Sequence, residues 1–166
     1  MLAGLTAACG TAPVVSPTGN AADLVRAAIT AEKANKLDEA RSDLTQAIQL
    51  DSKNKEAYFN LGFISQIQGK SAEAERDYRT ALIIDPDYQA ALYNLGTVRS
   101  VSAPYEAIAL YYHLIQLDPQ NASGHLNLGF ALKAVGQTAT GQSEIDIALR
   151  LNPALGNPTS SATPGA

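Results

Sequence analysis

A tripeptide that recurs at nearly constant spacing constrains the fold of this chain more than any other feature of its sequence. Asn-Leu-Gly occurs three times, with steps of 34 and 33 residues, at positions 60–62, 94–96 and 127–129. A second landmark, an aliphatic residue followed by Asp or Asn and then usually by Pro, keeps the same register at positions 50–52, 84–86, 117–119 and 151–153. A shared period of this length indicates small similar units, none of which buries its apolar face alone. The sequence therefore predicts a stack of repeats.

Each unit also has the apolar spacing of two short helices. In the second unit Leu61, Ile64 and Ile67 follow one another at helical spacing, and Gly69 then ends the segment. A second apolar segment ends before Pro86, because proline disfavours helix in the residue that precedes it. Isolated helices of about 13 residues are marginal in water, so packing between helices has to stabilise them. The predicted fold class is all-α, an α-solenoid of helix-turn-helix units.

Small residues recur at the positions where the two helices of one unit would meet. Small side chains there would let the two helix axes approach closely. The positions hold Ala28, Ala40 and Ala47 in the first unit, Gly62, Ala74 and Ala81 in the second, Gly96, Ala107 and the larger Leu114 in the third, and Gly129, Gly141 and Ala148 in the fourth.

These features resemble the tetratricopeptide repeat family, whose pattern is an aromatic residue, Leu-Gly, an aromatic, then Ala, an aromatic, Ala and Pro. The first unit departs from it with Ala27-Ala28 for Leu-Gly, and the last has His125 where the family often has a large aromatic. The third unit is one residue shorter, which predicts a tight turn with Pro104 at the start of the next helix. The resemblance covers residues 21–155 as four repeats, 21–54, 55–88, 89–121 and 122–155.

Both ends of the chain differ from this repeat region in composition. All 12 basic and all 16 acidic side chains lie between Asp23 and Arg150. Residues 10–20 and 156–166 are rich in Pro, Gly, Ser and Thr and offer little to bury. The first of these segments is predicted to be a flexible linker, and the second a disordered tail.

Residues 1–9 resemble the end of a bacterial lipoprotein signal, because an apolar run and two small residues precede Cys9, which is followed by Gly10. The resemblance implies that Cys9 is the lipid acceptor and that the linker holds the repeats off the bilayer. Only eight residues precede Cys9, and none is Lys or Arg, whereas signal peptides have a basic start and about 15–30 residues. We expect the true start codon to lie upstream of Met1; the alternative is a chance match in an alanine-rich end.

Composition and charge argue against several classes of function. A net charge of −4 without a basic cluster argues against nucleic acid as a partner. His113 and His125 lack metal-binding spacing, and the chain has a single cysteine, so we expect no metal site. No nucleophile–base couple or phosphate-binding loop is recognisable, so we expect neither catalysis nor a cofactor. Acidic residues such as Asp77 are interpreted as solvent-facing members of ion pairs with Arg76 and Arg79.

A binding groove is the function that the family resemblance implies. In that family the first helix of each repeat lines the concave face, and three asparagines one repeat apart would form a ladder there. The carboxamide of asparagine has a donor and an acceptor that can pair with the C=O and N–H groups of a partner's backbone. The neighbouring aromatic residues would form apolar walls for the partner segment. The predicted lining residues are Phe59, Asn60, Phe63, Tyr93, Asn94, Thr97, Leu126, Asn127 and Phe130.

A purely structural role for the same residues stays open at this point. Asparagine before Leu-Gly is common in the family and could bond to the adjacent helix, while the aromatic residues could pack between repeats. A basic clamp for a C-terminal carboxylate is incomplete, because only Arg26 is well placed and Glu56, Ala90 and Ser123 occupy the matching positions. That class of ligand is therefore not expected.

The C-terminal end of the repeats indicates a further contact. Repeat stacks normally end with a polar-faced capping helix, yet the sequence predicts coil directly after Asn152-Pro153. The last predicted helix, residues 138–151, is rich in aliphatic residues. We therefore expect another protein or a second copy of the chain to cover this helix, which would make the protein a homo-oligomer in the latter case.

The sequence as a whole predicts a non-enzymatic adapter that binds a protein or peptide segment in its groove. Its predicted location is the bacterial cell envelope, lipid-anchored through Cys9; a cytoplasmic adapter without lipid is the alternative. A second class of function is a structural or assembly scaffold of an envelope complex, which would act through its ends and its convex surface.

Overall fold

The computed structural model describes residues 19–156, and within this range the protein is an all-α solenoid of eight helices and a final 3-10 turn. The helices are α1 Ala21–Lys33, α2 Leu37–Leu50, α3 Lys55–Ile67, α4 Ser71–Ile84, α5 Gln89–Arg99, α6 Pro104–Leu117, α7 Ala122–Ala134 and α8 Thr138–Leu151, followed by the turn Pro153–Gly156. Each helix packs against its neighbours in sequence, and α3 also touches α1 and α5. Such nearest-neighbour packing is the architecture of a repeat stack.

Asparagine side chains explain where three of the first helices begin. Asn20, Asn54 and Asn121 precede α1, α3 and α7, and each side-chain oxygen accepts a hydrogen bond from the backbone N–H three residues further on, at 2.8–2.9 Å. This bond satisfies a backbone donor that the helix itself leaves unpaired. Tyr88 precedes α5 without such a bond, and α6 begins instead with Pro104.

The second sequence landmark marks the turn between successive helix pairs. After the second helix of each pair, an Asp or Asn side-chain oxygen accepts a hydrogen bond from the backbone N–H two residues further on, at 3.0–3.1 Å. This local bond holds the turn and ends the helix. The four residues are Asp51, Asp85, Asp118 and Asn152.

The glycine of Asn-Leu-Gly lets the two helices of a pair approach each other. A Cβ atom on Gly62 would lie 2.8 Å from the ring of Tyr78, and one on Gly96 would lie 2.6 Å from the ring of Tyr111. Both tyrosines are fully buried or nearly so. The repeat therefore requires glycine where a large side chain of the second helix lies against the backbone of the first.

The C-terminal end differs from its prediction. After Asn152 the chain does not pass straight into coil, because the 3-10 turn Pro153–Gly156 packs on α8 and Gly156 lies against Leu149. Ile145 and Ala148 are buried, whereas the remaining aliphatic residues of α8, namely Ile147, Leu149 and Leu151, are half-buried. Within residues 138–156 no large apolar side chain is strongly exposed. Three aliphatic residues of α8 thus remain partly accessible, and the covering of this end by another protein or a second copy of the chain stays a prediction.

Four charged side chains join the second helix pair to the third. Arg79 on α4 and Arg99 on α5 each bond to both Glu75 and Glu106, with nitrogen–oxygen distances of 2.5–3.0 Å. Burial alone would raise the pKa of the Glu106 carboxyl, but hydrogen bonds from Arg99 and Arg79 outweigh it and the pKa lies below its ordinary value. The ionised carboxylate therefore stabilises the fold.

This arrangement predicts acid sensitivity that depends on Glu106. A carboxyl whose pKa is lower in the folded state stabilises the protein above its unfolded pKa of about 4.3, and the contribution is lost as pH falls through the folded pKa. Wild type is thus expected to lose more stability than Glu106→Gln between pH 6 and pH 3, as measured by urea unfolding. Equal losses in the two proteins would show that the network does not carry this effect.

Candidate functional site

The nine predicted groove residues all lie on the first helix of a pair. Their surroundings differ from one pair to the next, so the structure divides them into two groups. On α3 they are Phe59, Asn60 and Phe63, on α5 Tyr93, Asn94 and Thr97, and on α7 Leu126, Asn127 and Phe130.

Asn60 does not form the first rung of an exposed ladder. Its side chain is buried, with 9% of the residue exposed, and Nδ2 donates a hydrogen bond of 2.7 Å to the backbone oxygen of Glu56 on the same helix. Asn94 and Asn127 are only half-buried. A ladder with three equivalent rungs is therefore absent, and two carboxamides stay accessible.

Phe59 serves packing between helix pairs. Its ring lies 5.7 Å from that of Tyr78 and 5.4 Å from that of Tyr88, with the second contact edge-on, and Phe63 stacks beside it at 6.4 Å. Tyr88 is the residue that precedes α5, so this cluster joins the second pair to the third. Phe59 therefore matches the alternative interpretation, in which the aromatic residues pack between repeats.

A pocket of about 270 Å³ opens where α5, α6 and α7 meet. We call it the α5–α7 pocket. It contains three of the predicted groove residues, and the 57% exposed Phe130 is its largest accessible apolar side chain. Its lining residues are Thr97, Ser100, Tyr111, Asn127, Phe130, Ala131 and Ala134.

The hydroxyl of Tyr111 is at the centre of the polar groups in this pocket. It lies 3.3 Å from Oγ1 of Thr97, and Nδ2 of Asn127 donates to it at 3.5 Å. Burial raises the pKa of the Tyr111 phenol, so the hydroxyl stays protonated at neutral pH. Both contacts are longer than the usual hydrogen-bond length, so the Tyr111 hydroxyl and the Asn127 carboxamide are available to a ligand. The Thr97 hydroxyl already donates to the backbone oxygen of Tyr93 at 3.1 Å and is available only as an acceptor.

The other predicted residues border the pocket or lie further along the same helices. Tyr93 is half-buried, with its ring edge-on to Tyr111 at 6.3 Å, and so supports the pocket wall from behind. Asn94 lies one turn before Thr97 on α5, and within residues 19–156 no hydrogen bond engages its side chain. Leu126 is half-buried on α7.

Sequence reasoning missed the contribution of the second helix to this site. Tyr111 belongs to α6, and its position follows that of Tyr78 by 33 residues, which is the period of the repeat. That period could have identified Tyr111 as the side chain beneath Gly96. Its hydroxyl reaches the α5–α7 pocket because the ring passes under this glycine.

His125 forms a buried contact that the sequence did not reveal. The residue is 7% exposed; Nδ1 lies 2.7 Å from a carboxylate oxygen of Glu144 on α8, and Nε2 lies 3.2 Å from the backbone oxygen of Pro119. Both neighbours are hydrogen-bond acceptors, so the imidazole bridges α7, α8 and the turn before α7. His113, by contrast, lies near the surface with Nε2 2.8 Å from Asp87.

Asp77 is buried, and its interpretation as a solvent-facing residue is wrong. The residue is 5% exposed; Oδ1 accepts from Arg76 at 3.0 Å, and Oδ2 has no hydrogen-bond partner. Arg79 pairs instead with Glu75 and Glu106. A buried carboxylate oxygen without a donor destabilises a fold.

Replacing Asp77 by leucine is therefore expected to stabilise the protein. The equivalent position of the third pair, 33 residues later, holds Leu110. Removing the desolvation penalty of an unsatisfied group is expected to raise the free energy of unfolding by about 1–3 kcal/mol. Thermal unfolding followed by circular dichroism would measure it, with Asp77→Asn as the control that keeps the shape and a polar group. A lower midpoint for Asp77→Leu would contradict the argument.

Residues 19–156 contain neither a cluster of metal-binding side chains nor a membrane-spanning helix. No group of three or more His, Cys, Asp or Glu side chains within residues 19–156 is placed to hold a metal ion. In the same range no helix has the length and apolar character needed to cross a bilayer. Cys9, the predicted lipidation site, lies outside the described residues.

Comparison with known proteins identifies the repeat. The profile of the tetratricopeptide repeat family matches residues 55–88, the unit that contains α3 and α4. No curated protein sequence matches the chain. Among solved structures, MamA is similar with a TM-score of 0.73 and 22% identity over 82% of this chain and 81% of its own. PilW, described as a widely conserved type IV pilus biogenesis factor, has a TM-score of 0.73 and 22% identity over 80% of this chain and 62% of its own.

Proposed function

Because the chain is a tetratricopeptide-repeat protein, we propose that it is a non-enzymatic adapter that binds a segment of a partner protein along α5 and α7. The partner is held by recognition alone. The observation that carries this proposal is the α5–α7 pocket, in which Thr97, Asn127 and Phe130 from two successive repeats converge. An exposed ring beside hydroxyl and carboxamide groups suits a polypeptide, which offers both apolar side chains and peptide groups.

Asn94 and Asn127 would hold the backbone of this segment. Both are half-buried and lie one repeat apart on equivalent helices. Half-buried carboxamides are already partly shielded from water, so little further hydration is lost when a ligand binds. They can still donate and accept hydrogen bonds. Asn60 is left out of the proposed contact, because its Nδ2 is already bonded to Glu56.

Selection from a displayed library of extended ten-residue peptides tests the adapter role. Peptides enriched on wild type are expected to bind at least about tenfold more weakly to the double variant Asn94→Ala/Asn127→Ala, since each lost hydrogen bond is worth about 1 kcal/mol. Asn35→Gly is the matched control, because Asn35 lies in an exposed turn with a φ of 58° that glycine tolerates. No enrichment, or unchanged binding by the double variant, would overturn the proposal.

Membrane tethering through Cys9 is a separate part of this proposal. It rests on the resemblance of residues 1–9 to the end of a lipoprotein signal. The test is fractionation of cells that express the gene from its natural start, with wild type compared with Cys9→Ser. Wild type is expected in the membrane fraction of the cell envelope and the variant in the soluble fraction. Identical soluble behaviour of both would favour the cytoplasmic alternative.

A scaffold role is the second candidate, and one observation favours it. Ile83 on α4 is 81% exposed, beside a depression of about 260 Å³ that Leu82, Leu95 and Leu110 also line. Apolar residues this exposed are frequent at protein interfaces. If the protein is a scaffold, Ile83→Asp is expected to release it from its complex, whereas the Asn94→Ala/Asn127→Ala variant stays bound.

A further inference from the structure

We infer that the α5–α7 pocket accepts an uncharged stretch of a partner polypeptide that inserts an aromatic side chain, in preference to a charged stretch or a chain terminus. This inference rests on the proposed adapter function and specifies the ligand of the same site. It follows from the charge, the size and the polar groups of the pocket.

The pocket offers no counter-ion to a charged ligand. None of its seven lining residues is charged. Arg99 on α5 is already paired with Glu75 and Glu106, and Lys133 on α7, which donates to Gln142 on α8, does not line the pocket. A carboxylate or phosphate that entered would lose hydration without gaining an ion pair, which is strongly unfavourable.

The volume of the pocket suits a ring. At about 270 Å³ it exceeds the roughly 150 Å³ of a cavity known to admit benzene. Phe130 on one side and the Tyr111 ring on another can contact an incoming ring in the offset or edge-on arrangements that aromatic pairs prefer. Ala131 and Ala134 keep the α7 side of the pocket open because their side chains are small.

The polar groups of the pocket suit a peptide group next to that ring. The Thr97 hydroxyl donates to the backbone oxygen of Tyr93 at 3.1 Å and can still accept, and the Asn127 carboxamide presents an oxygen together with an N–H that makes only the 3.5 Å contact to Tyr111. A neutral amide satisfies such groups without any charge to desolvate. The ligand chemistry is therefore an aromatic residue inside a chain, flanked by peptide bonds.

Two small probes that share the same ring test whether the pocket discriminates against a charged ligand. N-acetylphenylalaninamide is neutral, whereas N-acetylphenylalanine carries a carboxylate at pH 7. Backbone amide signals of the full chain are followed by two-dimensional NMR while each probe is added. The neutral probe is expected to shift the signals of Thr97, Asn127 and Phe130, with a dissociation constant at least tenfold lower than that of the acid.

Two alanine variants locate the binding. Phe130→Ala is expected to weaken binding of the neutral probe at least fivefold. Tyr105→Ala is the matched control, because Tyr105 is a 70% exposed aromatic residue on α6 that does not line the pocket. Phe130 is itself exposed, so its removal leaves the core intact, and circular dichroism of the variant checks this.

The outcomes distinguish this inference from the proposed function. Binding of the acid as tightly as the amide, or binding that Phe130→Ala leaves unchanged, overturns the inference. Failure of both probes to shift the pocket signals also overturns it. The peptide library tests the adapter function independently. If charged peptides are enriched and their binding depends on Asn94 and Asn127, the adapter function is supported and the preference for an uncharged ligand is overturned.

Discussion

Replacing Gly129 by alanine is expected to destabilise the last helix pair strongly. A Cβ atom at this position would lie 2.6 Å from Cγ1 of Ile145 and 2.7 Å from the backbone oxygen of Gly141. The second contact is with backbone, which cannot rotate away, so α7 and α8 have to separate. Overpacking of this kind lowers the free energy of unfolding by about 1–3 kcal/mol, and more when the backbone has to move.

The gain in helix propensity does not offset this effect. Alanine is favoured over glycine in a helix interior by about 1 kcal/mol, which is smaller than the expected clash. Gly124→Ala is the matched control on the same helix, because its new Cβ would meet only side-chain atoms, at 3.1–3.3 Å. Urea unfolding should show a lower midpoint for Gly129→Ala and a midpoint near or above wild type for Gly124→Ala. Equal midpoints for the two variants would refute the close-packing argument.

Replacing His125 by leucine is the second change that is expected to destabilise the protein strongly. The change removes the partner of Glu144, whose side chain is only 15% exposed. Removing one partner of a buried hydrogen bond typically lowers stability by about 1–3 kcal/mol, and by more when the group left behind is charged. The backbone oxygen of Pro119 would lose its 3.2 Å contact as well. Urea unfolding monitored by circular dichroism would measure the loss.

Changing both partners together should restore much of the stability. The third helix pair holds Leu92 and Leu110 at the positions equivalent to His125 and Glu144, so the stack accepts an apolar pair there. His125→Leu/Glu144→Leu is therefore expected to be more stable than His125→Leu alone, since replacing both partners of a buried polar pair by apolar groups can be nearly neutral. A double variant as unstable as the sum of the single ones would contradict this.

His113→Leu is the control for the loss of a histidine that contacts an acidic residue at an exposed position. It pairs with Asp87 across 2.8 Å, but its side chain is 38% exposed. Pairs at this level of exposure are worth about 0–1 kcal/mol. His113→Leu should therefore change the unfolding midpoint much less than His125→Leu, although both variants remove one histidine from an acidic partner.

The architecture was predictable from the sequence because each landmark of the period has a local cause. The Asp and Asn residues that recur after the second helix of each pair hold the following turn through their own side chains. Gly62 and Gly96 recur because a tyrosine ring lies against each of them. In the shortened third unit α5 has 11 residues, against 13 in α3 and α7, the turn that follows has four residues against three, and Pro104 starts α6 as predicted.

The candidate site was predictable only in part. The sequence placed Asn60, Asn94 and Asn127 in equivalent positions, but the period cannot report how deeply each side chain is buried. Asn60 is turned towards its own helix, whereas Asn127 contacts Tyr111 from the preceding pair. Asp77 illustrates the same limit, because a charged residue in a helical pattern was interpreted as exposed and lies in the interior.

The sequence by itself determined that the chain forms stacked pairs of helices, since turns, caps and close helix contacts depend on residues within one repeat. Only the tertiary structure decided which equivalent side chains face a neighbouring repeat and which face an open pocket. The physical reason is that burial depends on what the adjacent repeat places opposite a residue. The same asparagine position therefore lies buried on α3 and borders the α5–α7 pocket on α7.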